Sequence, residues 1–278
     1  MTAVVGGLIT ALLWGVSSAI ARRSSLLIGA ESALAWVFLI GFVLVVPAAF
    51  VSGSPEVGGG GIAWTAVAVA GSVLALYAMY AAARRGPVSL LMPIMGGQGA
   101  VAAVIAVVFG ESLAAVAWVG LALVVAGIYV AVHRRAERAP TPLAVALAIG
   151  SAVAGGVGLY ATSRGAALLG TAWVIAAVRT AGVLSISLPL ALSGRLRMPG
   201  RALRYVLFSG VADTSAYAVY AYASSHGNVA VTAVLASQFA LVSALIGVAA
   251  MGERLTQVQV AGVAAILVGV AIVTAAQA

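Results

Sequence analysis

Two charges stand inside apolar stretches of a chain that is 64% hydrophobic and only 7% charged. Asp213, the one Asp, lies in Val211-Ala212-Asp213-Thr214-Ser215, and Arg179 lies near the middle of the apolar run before it. In a bilayer core an unpaired Arg or Asp costs roughly 2.5–3.5 kcal/mol on insertion scales, so such charge marks a functional-site hypothesis. Two chemistries fit. The pair can line a cavity that opens to a substrate or a proton, or it can be an ion pair that only locks two helices. Tyr217 and Tyr220 follow Asp213 at i+4 and i+7, which puts all three on one helical face and suits a ring or an amine. The competing role for Tyr is an interfacial belt, strongest for Tyr222 near the end of the run. Tyr77 and Tyr80 hold the corresponding place in the first half. Asp213 is also the titrating group placed to carry a coupled proton.

A second constellation reads Met92-Pro93-Ile94-Met95-Gly96-Gly97-Gln98-Gly99. Pro removes an amide donor and the Gly residues loosen a helix. A broken helix offers main-chain groups to a ligand, and Gln98 adds an amide. Ser237-Gln238 stands at the matching place of the second half, Gln238 being 140 positions after Gln98. Interrupted spans at matching positions point to a midplane site, while close packing through small residues is the structural alternative. Trp14, Trp36 and Tyr160 are weaker candidates that also suit belts or packing. Glu111 and Glu253 suit structural roles at helix ends, and His226 suits a loop.

The chain leaves many chemistries without parts. It has no Cys, so disulfides, thiolate metal sites and redox motifs are excluded. Its two His residues, His133 and His226, make a histidine metal site improbable. There is no Gly-x-Ser-x-Gly, His-Glu-x-x-His or P-loop pattern. No cofactor, no metal and no enzymatic activity are expected. All fourteen basic residues are Arg, and the net charge of +8 sits in short connections, so it is not a nucleic-acid signal. Ala19-Ile20-Ala21 resembles a signal-peptidase site only superficially, since nothing basic precedes the apolar run.

The elements that must position these residues are membrane helices. Apolar runs last about 20 residues, the length that crosses a bilayer core. They predict spans at 3–21, 32–51, 62–83, 88–109 and 113–132, then 142–162, 171–192, 203–224, 229–250 and 256–276. The chain also repeats itself 142 positions apart. Gly110-Glu111-Ser112-Leu113 recurs as Gly252-Glu253-Arg254-Leu255, Gly120 and Gly127 as Gly262 and Gly269, and Pro47 as Pro189. A unit of five spans must be inverted in its duplicate. The expected fold is therefore an all-α integral membrane protein of ten transmembrane helices in two inverted five-helix repeats, 1–138 and 139–278. Twelve Arg residues fall in odd-numbered connections and only Arg164 in an even one. The positive-inside rule then puts odd connections in the cytoplasm and both termini outside.

On Ala11-Leu12-Leu13-Trp14-Gly15, Ala82-Ala83-Arg84-Arg85-Gly86-Pro87-Val88-Ser89 and the doubled Gly-Glu-x-Leu signature, the whole chain resembles the EamA-type drug/metabolite transporters. The second span departs from the family's pattern: Trp36 stands near the place of a frequent Arg. The resemblance implies a secondary transporter of the inner (cytoplasmic) membrane that exports small metabolites. Amino acids or other amphiphiles moved by proton-coupled alternating access fit the residues, with a passive facilitator or channel as the alternative. Its partners are a small-molecule substrate and the bilayer, not nucleic acid. Monomer and homodimer both stay open.

Overall fold

The computed structural model describes residues 1–55, 57–83, 85, 94, 96–132, 141–239, 241–243, 246 and 257–276. Among them are ten helical segments and no strand. They are α1 (Thr2–Ile28), α2 (Ala30–Val51), α3 (Gly59–Ala83), α4 (Gln98–Val108) and α5 (Ala115–Val132) in the first half. The second half gives α6 (Pro142–Leu169), α7 (Thr171–Leu192), α8 (Leu203–Ser225), α9 (Val229–Ala236) and α10 (Gln257–Ala276). The expected boundary at 138/139 lies in 133–140, outside the described residues.

Five of these helices, α1, α2, α3, α6 and α7, are long and apolar enough by themselves to cross a membrane. Large apolar side chains cover their outer faces, among them Leu12, Val43, Leu74, Ile149 and Leu184. Long α8 is less apolar because it faces inward: its buried residues include Ser209, Thr214, Tyr220 and Ser224.

Packing follows an approximate two-fold relation. α1 packs on α8 as α6 packs on α3, and α1 on α9 as α6 on α4. α2 meets α8 as α7 meets α3, while α2–α7, α4–α9 and α5–α10 pair a helix with its own duplicate. The first connection of each half is a single glycine of the same conformation: Gly29 at φ 85°, ψ 150° and Gly170 at φ 87°, ψ 146°. Only glycine takes such positive φ without strain, so the duplication preserved a backbone state as well as residue types.

Two expectations change. Arg22 and Arg23 lie within α1, which continues to Ile28 rather than ending at 21. Arg164 lies within α6, which runs on to Leu169, and is exposed there. A helix does not stop at a charge whose side chain can leave the apolar zone; glycine ends both. Span seven holds its expected bounds but has a wider π-helical turn at Val183–Ser187. The corresponding stretch of α2, residues 41–45, is regular α-helix.

The two ends of the bundle differ. Where even-numbered connections lie, aromatic rings close the structure: Trp64, Phe109 and Tyr160 contact one another at centroid distances of 5.3–6.0 Å. Trp173 donates its indole N–H to Gly53 O at 2.9 Å. Glu111 clamps this end. Its two carboxylate oxygens accept from Val229 N at 3.1 Å and Ala230 N at 3.2 Å, at the positive N-terminus of α9. Asn228 caps the same turn through Val231 N. The signature Glu thus ties the first half to the second. Charge-assisted bonds contribute about 1.5–3 kcal/mol, so Glu111→Ala should lower the melting temperature of purified protein in detergent by several degrees. Glu111→Gln, which keeps one acceptor, should lose less; equal melting of E111A and wild type would show that the clamp stabilises nothing.

Candidate functional site

The expected charges meet. Arg179 Nη2 lies 2.6 Å from Asp213 Oδ2, joining α7 to α8. The Arg side chain is 3% exposed and the Asp side chain 24%, so only the carboxylate end is open to a visitor. Arg179 Nε has no hydrogen-bond partner, and the 2.6 Å contact is not aligned as a hydrogen bond. The guanidinium therefore holds donor capacity in reserve. It lies against two rings, Phe38 of α2 at 5.6 Å and Tyr217 of α8 at 5.2 Å, positions where an aromatic face attracts a cation.

Gly41 of α2 makes this placement fit. A Cβ there would stand 2.6 Å from Thr214 Oγ1 and 2.9 Å from Arg179 Cδ. The absent side chain lets Arg179 lie on the α2 backbone, next to the carboxylate it neutralises.

The tyrosines share one face as expected, and Trp14 of α1 joins them. Trp14 meets Tyr217 edge-on at 5.4 Å, stacks near Tyr220 at 6.1 Å and meets Phe239 at 6.1 Å. Tyr217 OH lies 3.4 Å from Ser72 Oγ of α3. Tyr220 is fully buried, and its hydroxyl makes no hydrogen bond; nearby Ser224 donates to Ala221 O instead. Phe38 of α2 and Tyr217 of α8 thus lie on the Arg179–Asp213 pair, with Trp14 of α1 and Ser72 of α3 behind Tyr217.

Gln98 and Gln238 stand at matching interruptions. α4 begins at Gln98 after a turn at Gly97, and α9 breaks at Ser237–Gln238 before helix resumes. Gln98 packs on Gly155 of α6. Gln238 is buried; its amide donates to Val234 O at 3.0 Å, and its Oε1 has no partner. Met92, Pro93 and Met95 lie outside the described residues, as do Glu253 and the side chain of Tyr80.

Tyr77 departs from the pair. Its hydroxyl donates to Ser185 O at 2.9 Å, in the π-helical turn of α7. There it lines a cavity of about 650 Å³ at the odd-connection end. Of the weaker candidates, Trp36 donates its indole N–H to Arg197 O at 2.9 Å, and Tyr160 belongs to the aromatic closure.

Phe38, Gly41 and Ser72 were missed from sequence. Ser72 had a signal, since the 142-residue shift matches it to Thr214 beside Asp213. Phe38 and Gly41 had none, because their importance comes from a helix crossing.

A crystal structure of a protein 21% identical to this chain shares its fold, with a TM-score of 0.83 over 98% of this chain and 96% of that one. No curated protein matches the sequence. The model of the EamA-like transporter family matches twice, over residues 1–133 and 142–275. Two matches of one unit, each over five helices of an inverted pair, agree with the fold, and this multi-pass membrane protein belongs to the EamA-like transporter family.

Proposed function

We propose that this chain is a secondary transporter that exports small zwitterionic amphiphiles, amino acids foremost, across the cytoplasmic membrane. One observation carries the reading: a buried guanidinium and a partly open carboxylate 2.6 Å apart, walled by Tyr217 and Phe38. A substrate carboxylate would take the Arg179 donors and a substrate ammonium the Asp213 oxygens. An apolar or aromatic side group would rest on Trp14 and Tyr217. The substrate replaces the pair's own contacts, so neither charge is left unpaired in a site where that is costly.

Asp213 is the proposed proton carrier. Protonation removes its charge and frees Arg179, and deprotonation restores the pair. One closed end and one open cavity support alternating access over a continuous pore. With odd connections in the cytoplasm, the orientation expected from the Arg distribution, the cavity would face the cytoplasm, where an exporter loads.

Reconstituted protein tested against amino acids, amines and nucleotide sugars should move zwitterions with an apolar side group, and should accumulate them uphill when a pH gradient is imposed. Equal flux with and without the gradient at every pH would defeat proton coupling. Transport confined to nucleotide sugars would defeat the substrate class.

A further inference from the structure

We infer that the cavity at the odd-connection end is a loading site for the acidic group of a soluble amphiphile, separate from the Arg179–Asp213 pair and reached before it. This deepens the proposed transport of carboxylate-bearing solutes, but its physical basis is independent of Asp213. The cavity of about 650 Å³ lies between α2, α3 and the last part of α7. That volume is within the range of small-molecule sites.

Its wall has two characters. Ala81, Ile186, Pro189 and Leu190 form an apolar side. The polar rim holds Arg85, Arg195 and Glu31. Arg195 Nη2 is 3.3 Å from Glu31 Oε2, so that carboxylate is already matched. Arg85, in the turn after α3, donates to Ala81 O in the last turn of that helix and has no carboxylate partner among the described residues. Among the described lining residues, two guanidiniums against one carboxylate leave the rim positive. A guanidinium has five donors in a fork that fits a carboxylate, so Arg85 keeps donors for an incoming acid.

The floor explains why this is a stage of its own. Tyr77 OH is held on Ser185 O, a carbonyl within the π-helical turn. Such turns recur at functional sites because they redirect main-chain groups. Arg179 lies on the same helix, six residues before Ser185, on the far side of this contact. At 1.5 Å rise per residue that is roughly 9 Å along the axis. A solute caught at Arg85 therefore has Tyr77 between it and the paired charges.

The natural absence of Cys gives a direct test. Ala81→Cys places one thiol on the cavity wall of the full-length protein in zwitterionic-lipid liposomes. The probes are a sulfonate-bearing and a trimethylammonium-bearing methanethiosulfonate, each rate being divided by its rate with mercaptoethanol in solution. The normalised preference for the sulfonate should be at least fivefold and should fall toward unity in Ala81→Cys/Arg85→Gln. Arg85 is exposed, so the second variant should fold, which its gel-filtration profile checks. No preference for the anion, or one untouched by Arg85→Gln, overturns the inference. L-Tryptophan should slow labelling more than tryptamine does. Protection by added phosphatidylglycerol but not by tryptophan would assign the site to lipid and overturn the soluble-solute reading. The anion preference is read on the reagents alone, so failure of amino-acid transport would sink the proposed function and leave this measurement standing.

Discussion

Arg179→Gln and Asp213→Asn should each lower the rate of zwitterion transport about a hundredfold or more while leaving inserted protein. The geometry sets the size. Each change removes one of two opposite charges 2.6 Å apart: Asp213→Asn strands the guanidinium among Phe38, Tyr217 and the α2 backbone, and Arg179→Gln strands a carboxylate that is only 24% exposed. Removing one member of a buried pair costs about 3–5 kcal/mol, chiefly because the survivor stays buried without compensation. That penalty also threatens folding, so the exchange Arg179→Asp/Asp213→Arg is the control. If the pair only locks α7 to α8, the exchange should restore both folding and transport. If the pair holds substrate, it should restore folding alone, since Gly41 and Phe38 are arranged around a guanidinium on α7. Full transport by either folded single variant would remove the charge clamp from the proposal.

Gly99→Val should be strongly destabilising. Gly99 is where α4 crosses its duplicate α9. A Cβ there would collide with Ser237 Oγ and stand 2.5 Å from Ala233 O, a main-chain atom that cannot swing aside. Overpacking a tight interior costs about 1–3 kcal/mol, more when backbone must move. The expected result is a broad loss of monodisperse protein in detergent, or a melting temperature lowered by ten degrees or more. Gly150→Val makes the control, because nothing lies within 4 Å of a Cβ there. Near-equal melting of the two variants would mean that the crossing relaxes easily and is not a fixed pivot.

The spans and their duplication were legible because a bilayer imposes a coarse rule, about twenty apolar residues per crossing. The rule located α7 at its observed bounds. It failed at Arg22, where α1 runs on to Ile28, and at Arg164, where an exposed long side chain lets α6 carry charge beyond the apolar zone. The charged site was legible for the same reason: charge is rare in spans, so Arg179 and Asp213 announced themselves, and helical spacing added Tyr217 and Tyr220. Phe38 and Gly41 were not legible. Phe is ordinary in a membrane helix and Gly is abundant here, so only the crossing of α2 over α7 and α8 gives them meaning. Tyr77 was grouped with the site by repeat position, but its neighbours come from α7 and depend on a π-helical turn that no sequence pattern announces.

That turn bears on which way the empty protein rests. Two identical inverted halves would give a molecule whose two facings are images of one another, equal in energy and equally populated. Here the π-helical turn occurs in α7 and not at residues 41–45 of α2. The charged pair likewise has Val37 and Gly71 at the matching positions. The mirror facing would ask α2 to adopt the wider turn with Val219, which has no hydroxyl to donate, in the place of Tyr77, and without a charge to stabilise. Under the proposed alternating access, the resting equilibrium would be tilted toward the cavity-open facing, as a door hung out of plumb swings to one side. In the proposed cycle a gradient would set the direction of net flux, and the asymmetry would set where each cycle waits.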